Sequence, residues 1–417
     1  MLKAKLFVNY SIDFFAAVVL FTIGFIALIS LVVGKYSDSE DKFNFTNLIL
    51  IIVTGMNGVV MVSDLFSLYV FLEITAASSF ILIALYKGRE ALEGSFKYLV
   101  MSAVATVLML SSVAIFFMSA GGLDYKVIGE YLKAFNGTYP TQIIIAFILF
   151  VTGLSIKAGL VPFHMWVPDA YSSAPASVSV LLGGIVTKVA GIYTLMRLFT
   201  DVFNGIPAVM RILMFLGTLS IVAGALAAIG QNDFKRMLAY SSISQVGYII
   251  LGVSIGTLLG FAGALLHFFN HATFKSLLFI NSTAVEMQTG TRDINKLGGL
   301  AAKMPITGGT SVVAFLSTAG IPPLSGFWSK LLIIIALWQS GLYAYAAIAL
   351  LASILTLAYF LILQRKVFFG KIAEGLENIK ESNSGITIPA MVLSAVTVGM
   401  GLLFPLVLIY LNNNGLL

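Results

Sequence analysis

Residues 158–166 read AGLVPFHMW and residues 319–328 read AGIPPLSGFW, so two apolar stretches share one pattern of glycine and proline. Proline removes a backbone hydrogen bond and clashes with the preceding helical turn. In a lipid bilayer the backbone groups freed by such a break need protein or water partners, so a broken helix is tolerated where it faces a cavity. We therefore expect two interrupted membrane helices. The predicted helix breaks are Gly159, Pro162, Pro322 and Pro323.

The composition places both stretches in a membrane protein. Of the 417 residues, 59% are hydrophobic and only 10% are charged, whereas a soluble domain carries roughly 25% charged residues. A membrane-spanning helix needs about 20 apolar residues. The sequence predicts an all-α polytopic protein of about 12 transmembrane helices. These spans are residues 14–33, 47–62, 65–86, 96–118, 142–160, 176–199, 208–229, 238–256, 257–280, 306–338, 342–363 and 388–410.

The two breaks lie five spans apart, which places the second unit upside down relative to the first. Paired interrupted helices in inverted repeats indicate a transport path near the membrane midplane. Simple kinks are the alternative, and we favour them less because Lys157 and Lys330 lie close to the breaks. The predicted organisation is an N-terminal helix (1–46), a first repeat (47–200), an inverted second repeat (201–369) and a C-terminal helix (370–417).

Basic residues in the loops predict the orientation. Fourteen loop lysines and arginines fall on one predicted side and six on the other. Cytoplasmic loops carry the excess of basic residues, so we expect a cell-membrane protein with both termini external, although Lys3 and Lys5 locally favour the opposite orientation. The net charge of +6 is then explained by the loops rather than by nucleic-acid binding.

The rare residues exclude several kinds of site. The chain has no cysteine, which excludes thiolate-bound iron–sulfur clusters and disulfides. Its three histidines, His164, His267 and His271, leave little room for a metal redox centre. We also find no phosphate-binding glycine loop and no hydrolase motif. We predict no catalytic residue, cofactor or metal of the chain's own, so the electrons of any associated redox enzyme would travel in another subunit.

Five charged residues lie within the apolar spans or at their breaks. Lys157, Lys188, Lys275 and Lys330 occupy positions where a charge costs at least about 2.5–3.5 kcal/mol. Glu73 is the only carboxylate deep in an apolar run. A lone buried charge favours its neutral form, whereas an opposite charge nearby favours ionisation. We expect Glu73 to pair with Lys157, either as part of a proton path or as a static link between helices.

Three polar residues follow helical spacing in the ninth span. His267, His271 and Lys275 are separated by four residues each, which aligns them along one helix face. A metal site is the alternative, but catalytic zinc usually needs three protein ligands. A hydrogen-bonded relay fits better because histidine titrates near neutral pH. His164, in the loop after the first break, is either a loop anchor or a point of proton uptake.

Several ordered motifs resemble one known family. They are KAGLVPFHMWVPDAY at 157–171, APASVS at 174–179, DFKRMLAYSSISQVGY at 233–248, and the segments 267–279 and 320–330. Together they are similar to the antiporter-like proton-translocating subunits of respiratory complex I, Mrp-type cation/proton antiporters and membrane-bound hydrogenase-type complexes. The resemblance implies two inverted five-helix units, each with a broken helix.

The resemblance also implies roles for individual residues. Glu73 matches the carboxylate that pairs with the broken-helix lysine, Lys157, and Lys188 matches the connecting lysine of the next helix. The implied proton path comprises Glu73, Lys157, Lys188, His267, His271, Lys275 and Lys330. The chain is expected to lack two of the usual fourteen helices, at its N-terminus, and a long lateral helix. That second difference argues against the distal pump subunit of complex I.

The sequence therefore predicts a proton-translocating subunit driven by a redox or ion-gradient partner. Expected partners are other membrane subunits, a peripheral redox arm in some complexes, the lipid bilayer and protons, with sodium as the rival ion. A Na+/H+ antiport subunit, a non-conducting scaffold of a redox complex and a solitary solute transporter are the alternatives. Which complex contains the chain stays open.

Overall fold

The computed structural model describes residues 12–36, 42–85, 87–135, 137–203 and 206–413. Across those ranges the chain folds into sixteen α-helices and no β-strand. The helices are α1 (Phe14–Tyr36), α2 (Lys42–Met61), α3 (Leu65–Ala84), α4 (Arg89–Ala120), α5 (Tyr125–Lys133), α6 (Thr141–Ala158), α7 (Trp166–Ser173), α8 (Ala176–Leu181), α9 (Thr194–Asp201), α10 (Pro207–Ile229), α11 (Phe234–Ser254), α12 (Leu258–Thr289), α13 (Pro305–Ala319), α14 (Ser325–Gln339), α15 (Tyr343–Val367) and α16 (Ser384–Asn413).

The twelve predicted spans all correspond to helices, so the chain is an all-α polytopic membrane protein. Ten helical segments in the described part of the chain are long and apolar enough to cross a bilayer. The other two spans are α12, which polar residues interrupt, and the pair α13–α14, which the second break divides. Lys3 and Lys5, used to predict the orientation, lie outside the described residues.

The two breaks have the same backbone structure. Gly159 (φ 68°) ends α6 and Gly320 (φ 86°) ends α13, each in the left-handed region that glycine adopts without strain. Beyond each glycine, the next amide bonds back to the carbonyl five residues earlier: Leu160 to Ser155 and Ile321 to Leu316, both at 3.0 Å. This Schellman-type ending satisfies carbonyls that the break would otherwise expose. Both predicted helix breaks are therefore present.

A second backbone feature occurs once in each repeat. Leu65 donates to the carbonyl of Leu123 at 3.0 Å, and Phe234 donates to that of Arg292 at 2.9 Å. The resulting isolated bridges join Asp64 to Asp124 and Asp233 to Asp293. In both repeats this bridge ties the start of one helix to the end of a 32-residue helix, α4 or α12.

The two bridges lie at opposite ends of the bundle. Arg292 contacts Glu90, at the start of α4, at 2.9 Å, whereas the Asp124 bridge lies just beyond the end of α4. A helix of this length spans about 48 Å. The repeats are therefore inverted, as the odd spacing of the breaks predicts. The domain boundaries drawn from the sequence stay a prediction.

Ion pairs cover one end of the bundle, which we call the basic face. Asp169 accepts from Lys97 at 2.6 Å and from Arg236 at 2.5 Å, which joins the two repeats. Arg292 also lies 3.2 Å from Asp233, and its neighbours raise its pKa even though partial burial opposes this. Lys235 also pairs with Glu286 on this face, at 2.7 Å.

The most buried segments lie in the middle of the bundle. The span from α8 to α9 is enclosed, as is nearly all of α11, while α4 exposes most of its apolar surface. Between α8 and α9 the backbone widens into two π-helical stretches, Leu182–Val186 and Lys188–Tyr193. Such π-helical turns are rare and are frequent at functional sites. The polar residues of α12 face this buried centre.

Candidate functional site: a chain of buried lysines, histidines and hydroxyls

The first group of the site is an ion pair beside the first break. Lys157, two residues before Gly159, places its Nζ 3.0 Å from Oε1 of Glu73 on α3. Thr106 donates to the same oxygen at 2.7 Å, and Lys157 donates to Ser102 at 3.2 Å. The Lys157 side chain is buried, while the Glu73 side chain is 33% exposed at the surface of the helix bundle. The expected pairing is present, and two hydroxyls of α4 support it.

The second group surrounds Lys188 in the π-helical segment. Its fully buried ammonium donates to the carbonyl of Gly183 and lies 3.4 Å from the hydroxyl of Ser242 on α11. Ser242 in turn lies 3.2 Å from Nε2 of His271 on α12. One serine therefore connects the lysine of the first repeat to a histidine of the second. A hydroxyl suits this position because it both donates and accepts hydrogen bonds.

Lys275 continues the site on the second repeat. Its Nζ lies 2.6 Å from the hydroxyl of Ser241, the residue beside Ser242. The hydroxyl of Tyr359 on α15 donates to Ser241 at 2.8 Å, and Lys275 also donates to the carbonyl of Leu238 at 3.2 Å. Adjacent serines of α11 thus contact two different lysines. Polar groups of α11 lie at the junction of the repeats.

The last group lies near the second break. His267 Nδ1 is 2.8 Å from the hydroxyl of Ser329 on α14. Lys330, the next residue, donates to the carbonyl of Thr318 at 2.8 Å and to Ser353 at 3.1 Å. Its ammonium also lies 4.5 Å from the centre of the Tyr248 ring. The face of an aromatic ring attracts a nearby ammonium group electrostatically.

The polar residues of α12 contact different helices. His271 and Lys275 bond to α11, whereas His267 bonds to α14. Residues four apart rotate by about 40° around a helix of 3.6 residues per turn, so the stripe turns as it rises. The predicted single face is therefore a spiral. His271 lies next to the Lys188 group and His267 next to the Lys330 group, while Lys275 lies one helical turn beyond His271.

The protein contacts leave parts of this chain incomplete. The structure gives no hydrogen bond between Lys157 and Lys188, although their segments touch where Gly191 meets the backbone of Ala158. Buried atoms such as His271 Nδ1 and His267 Nε2 have no partner among the described residues. Buried polar groups of this kind are commonly satisfied by ordered water. A water-assisted chain is therefore what this geometry can support.

His164 stands apart from these groups. It lies in a 3₁₀ turn after the first break, 6.3 Å from the Tyr240 ring between ring centres, and its Nδ1 has no partner in the described part of the chain. No group of three or more His, Cys, Asp or Glu that could hold a metal occurs within the described ranges.

The sequence interpretation missed the hydroxyl groups. Ser102, Ser241, Ser242 and Ser329 each contact a predicted path residue. Internal repetition could have found some of them. Glu73 and Ser242 both stand nine residues after the aspartate, Asp64 or Asp233, that caps their helix.

Comparisons with known proteins identify the family. The family described as "NADH:quinone oxidoreductase/Mrp antiporter, TM" matches residues 62–356. The chain belongs to this family. It is 34% identical over 366 residues to a subunit of the Na(+)/H(+) antiporter of Alkalihalophilus pseudofirmus, covering 88% of this chain and 74% of the relative. It is 35% identical over 355 residues to a subunit of the NADH-quinone oxidoreductase of Desulforudis audaxviator, covering 84% and 70%.

A solved structure supports the same assignment. A chain of the Mrp complex from Dietzia sp. superposes with a TM-score of 0.88 at 25% identity, covering 97% of this chain and 84% of that one. The predicted resemblance to antiporter-like subunits is confirmed. So is the expectation that such subunits work among other membrane subunits, because this relative comes from a multisubunit complex.

Proposed function

We propose that this chain is a proton-translocating subunit of a multisubunit membrane complex. One observation supports the proposal most strongly: Ser242 lies between Lys188 of the first repeat and His271 of the second. The contact joins titratable groups across the inverted repeats near the middle of the bundle. A scaffold would not need such groups, since each charge buried in a membrane helix is costly.

The proposed transfer begins at the Glu73–Lys157 pair. The carboxylate holds the ammonium charged, so movement or protonation of Glu73 weakens the hold on the proton of Lys157. The proton then passes through water to Lys188 and by way of Ser242 to His271. Lys275 and Lys330 continue the path towards the face opposite uptake. The driving partner is either a redox module or an ion gradient.

Sodium is the rival ion because a relative is a Na(+)/H(+) antiporter subunit. A hard cation prefers several oxygen ligands. Around Glu73 the structure offers one carboxylate and the hydroxyls of Ser102 and Thr106, and the Lys157 ammonium already occupies their centre. We therefore assign protons to this chain and any sodium movement to the assembly.

We also propose that the basic face is cytoplasmic and that both termini are external, in the cell membrane. The loop lysines and arginines support this orientation. The orientation can be tested with single cysteines placed in loops at the two faces. Intact cells are treated with an impermeant thiol reagent, and the labelling of each cysteine is measured. Labelling of the basic-face loops from outside the cell would contradict the assignment.

The test of function replaces each member of the ion pair. Lys157→Ala and Glu73→Gln should reduce coupled proton flux by about tenfold or more, because one lost pKa unit of coupling corresponds to a factor of ten. The measurement is proton flux into vesicles that contain the whole complex. Lys296→Ala, in a basic-face loop, is the control and should leave flux unchanged. Unaltered flux in both ion-pair variants would remove the pair from the path.

A further inference from the structure

A cavity of about 560 Å³ opens at the basic face between the two repeats. One wall comes from the start of α4 and the junction of α7 and α8, and the other comes from α11 and α12. Glu90, Lys235, Glu286 and Arg292 line it with both signs of charge. A cavity of this volume holds several water molecules. It brings an aqueous space into contact with both halves of the chain.

The side of the cavity towards the buried centre of α12 has a polar group without a protein partner. Thr283 lines the cavity, is 2% exposed, and its hydroxyl makes no hydrogen bond to any described residue. One helical turn further into the bundle, the side chain of Phe279 is fully buried. Its ring lies directly against Gly183, where even a Cβ atom would overlap it. The ring of Tyr171 meets its edge, with 5.9 Å between ring centres.

Lys188 is connected to the other side of this contact. The carbonyl of Gly183 accepts the hydrogen bond of the Lys188 ammonium. Ser276 lies one turn deeper than Phe279, against Gly184, and its hydroxyl donates to the carbonyl of Val180 at 3.3 Å. The Phe279 ring thus lies between the cavity wall at Thr283 and the groups around Lys188. Its apolar surface lies between two polar regions of α12.

We propose that this cavity is the aqueous inlet through which hydrated protons reach Lys188, and that Phe279 is the gate at its inner end. The inference rests on the proposed function: the Glu73–Lys157 pair starts the transfer, and the cavity is a second entry through which Lys188 takes up a proton from the basic face. With the ring on Gly183, apolar surface excludes water from the lysine. Displacement of the ring connects Thr283 with Ser276 and opens a wet route. Loss of the Lys188 proton weakens its charge-assisted hydrogen bond to the carbonyl of Gly183. Because Phe279 packs on Gly183, the position of the ring is then coupled to the charge of Lys188.

The experiment uses thiol accessibility, which does not depend on transport. The chain has no cysteine, so Thr283→Cys and Ser276→Cys each introduce a single thiol. Vesicles containing the whole complex, with the basic face outward, are treated with an impermeant methanethiosulfonate reagent, and labelling is scored on this chain alone. We expect Thr283→Cys to label faster than Ser276→Cys, because Thr283 lines the cavity and Ser276 lies behind the Phe279 ring.

The gate is tested by adding Phe279→Ala to the Ser276→Cys chain. Labelling should accelerate by about tenfold or more, because removing a buried ring leaves a cavity that water can enter beside polar groups. Passive proton leak should rise in the same vesicles. Phe268→Ala removes an equally buried ring from the same helix, about 16 Å along its axis, and should change neither reading.

Three results would overturn the inference. They are an unreactive Thr283→Cys, a Ser276→Cys that labels equally with and without the ring, and equal acceleration by Phe268→Ala. If Phe279→Ala prevents assembly of the complex, Phe279→Leu serves in its place and should give a smaller acceleration in the same direction. Normal gating in labelling, together with absent proton flux, would instead contradict the proposed function and leave the cavity and gate standing.

Discussion

The two halves of this protein share one backbone plan and distribute charge differently. Both broken helices end at a left-handed glycine, and both repeats carry the same bridge between aspartates. In the first repeat a carboxylate, Glu73, meets the lysine at the break. In the second, Ser242 stands at the position that corresponds to Glu73. None of Lys188, Lys275 and Lys330 has an ion-pair partner within the described ranges.

The difference extends to the long central helices. Ser102 and Thr106 are the fourteenth and eighteenth residues of α4, and His271 and Lys275 hold the same places in α12. The first half therefore surrounds one ion pair with hydroxyls, and the second surrounds several basic groups with hydroxyls and carbonyls. Neutral oxygens can bond a lysine in either protonation state. We infer that the Glu73–Lys157 pair of the first half holds a proton firmly, whereas the basic groups without an ion-pair partner, from Lys188 to Lys330, pass it on.

The largest effect is expected when a carboxylate is introduced into the second half. Ser242→Glu places an anion beside Lys188 and His271, where it should hold both groups charged. We expect coupled proton flux in vesicles to fall by about tenfold or more, although Glu73 and Lys157 are unchanged. Ser242→Gln, similar in size but neutral, is the control and should retain more flux. Equal flux in the two variants would contradict the contrast.

A smaller effect is expected when one hydroxyl that supports the Glu73–Lys157 pair is removed. Thr106→Val keeps the side-chain shape and removes the hydroxyl that donates to Glu73. Hydrogen bonds to charged groups contribute about 1.5–3 kcal/mol, so the pair should loosen and flux should fall several-fold without being lost. Thr54→Val removes an exposed hydroxyl that bonds only its own helix, and it should have no effect. A loss as large as that of Glu73→Gln would show that Thr106 is needed for more than support.

The smallest expected effect concerns how the first half is fastened to α1. Asp13 accepts hydrogen bonds from Arg197 at 2.7 and 2.8 Å. These bonds lower the pKa of Asp13 from 3.8 to about 2. At the corresponding end of the second half, Lys366 donates to Asn295, a neutral side chain. Because the pKa is lowered on folding, the stabilisation is present above the unfolded value and is lost as pH falls through the folded one.

Asp13→Asn should therefore lower the stability of the solubilised complex slightly at pH 7. The loss should be about 1 kcal/mol or less, because the carboxylate is half exposed and solvent screens the pair. The difference from the unmodified protein should persist down to a pH near 3.8 and shrink below it. Thermal denaturation across this range is the measurement. A difference that grows as the pH falls would have the wrong sign.

Much of the fold can be predicted from the sequence because membrane helices are recognised by their length and their apolar composition. The two breaks, predicted at Gly159 and Pro162 and at Pro322 and Pro323, could also be predicted, since glycine followed by proline in an apolar segment usually interrupts a helix. The pairing of Glu73 with Lys157 followed from scarcity: one deep carboxylate needs a cation. In each case a single residue type carried a large energetic cost that limits the possible explanations.

The hydroxyl groups and the π-helical segment could not be found in that way. Serine and threonine are common in membrane helices and often bond backbone carbonyls. Residue type alone therefore does not distinguish Ser242 from Ser244, which donates to the carbonyl of Ile221 on α10. A π-turn depends on how neighbouring helices press upon the backbone, which the residues 182–193 do not reveal alone. The relay role of the site residues remains the proposal that the flux measurements address.

The meeting of Gly191 with Ala158 has a mechanical consequence. A side chain at residue 191 would collide with the backbone of α6, so main chain rests on main chain at this crossing. At most helix crossings, side chains between the two backbones accommodate small shifts by changing rotamer. Gly191 has no side chain that could do this. A shift of α6 towards the π-helical segment that carries Lys188 would therefore displace that segment. Force can thus travel between the two lysines where no hydrogen bond does.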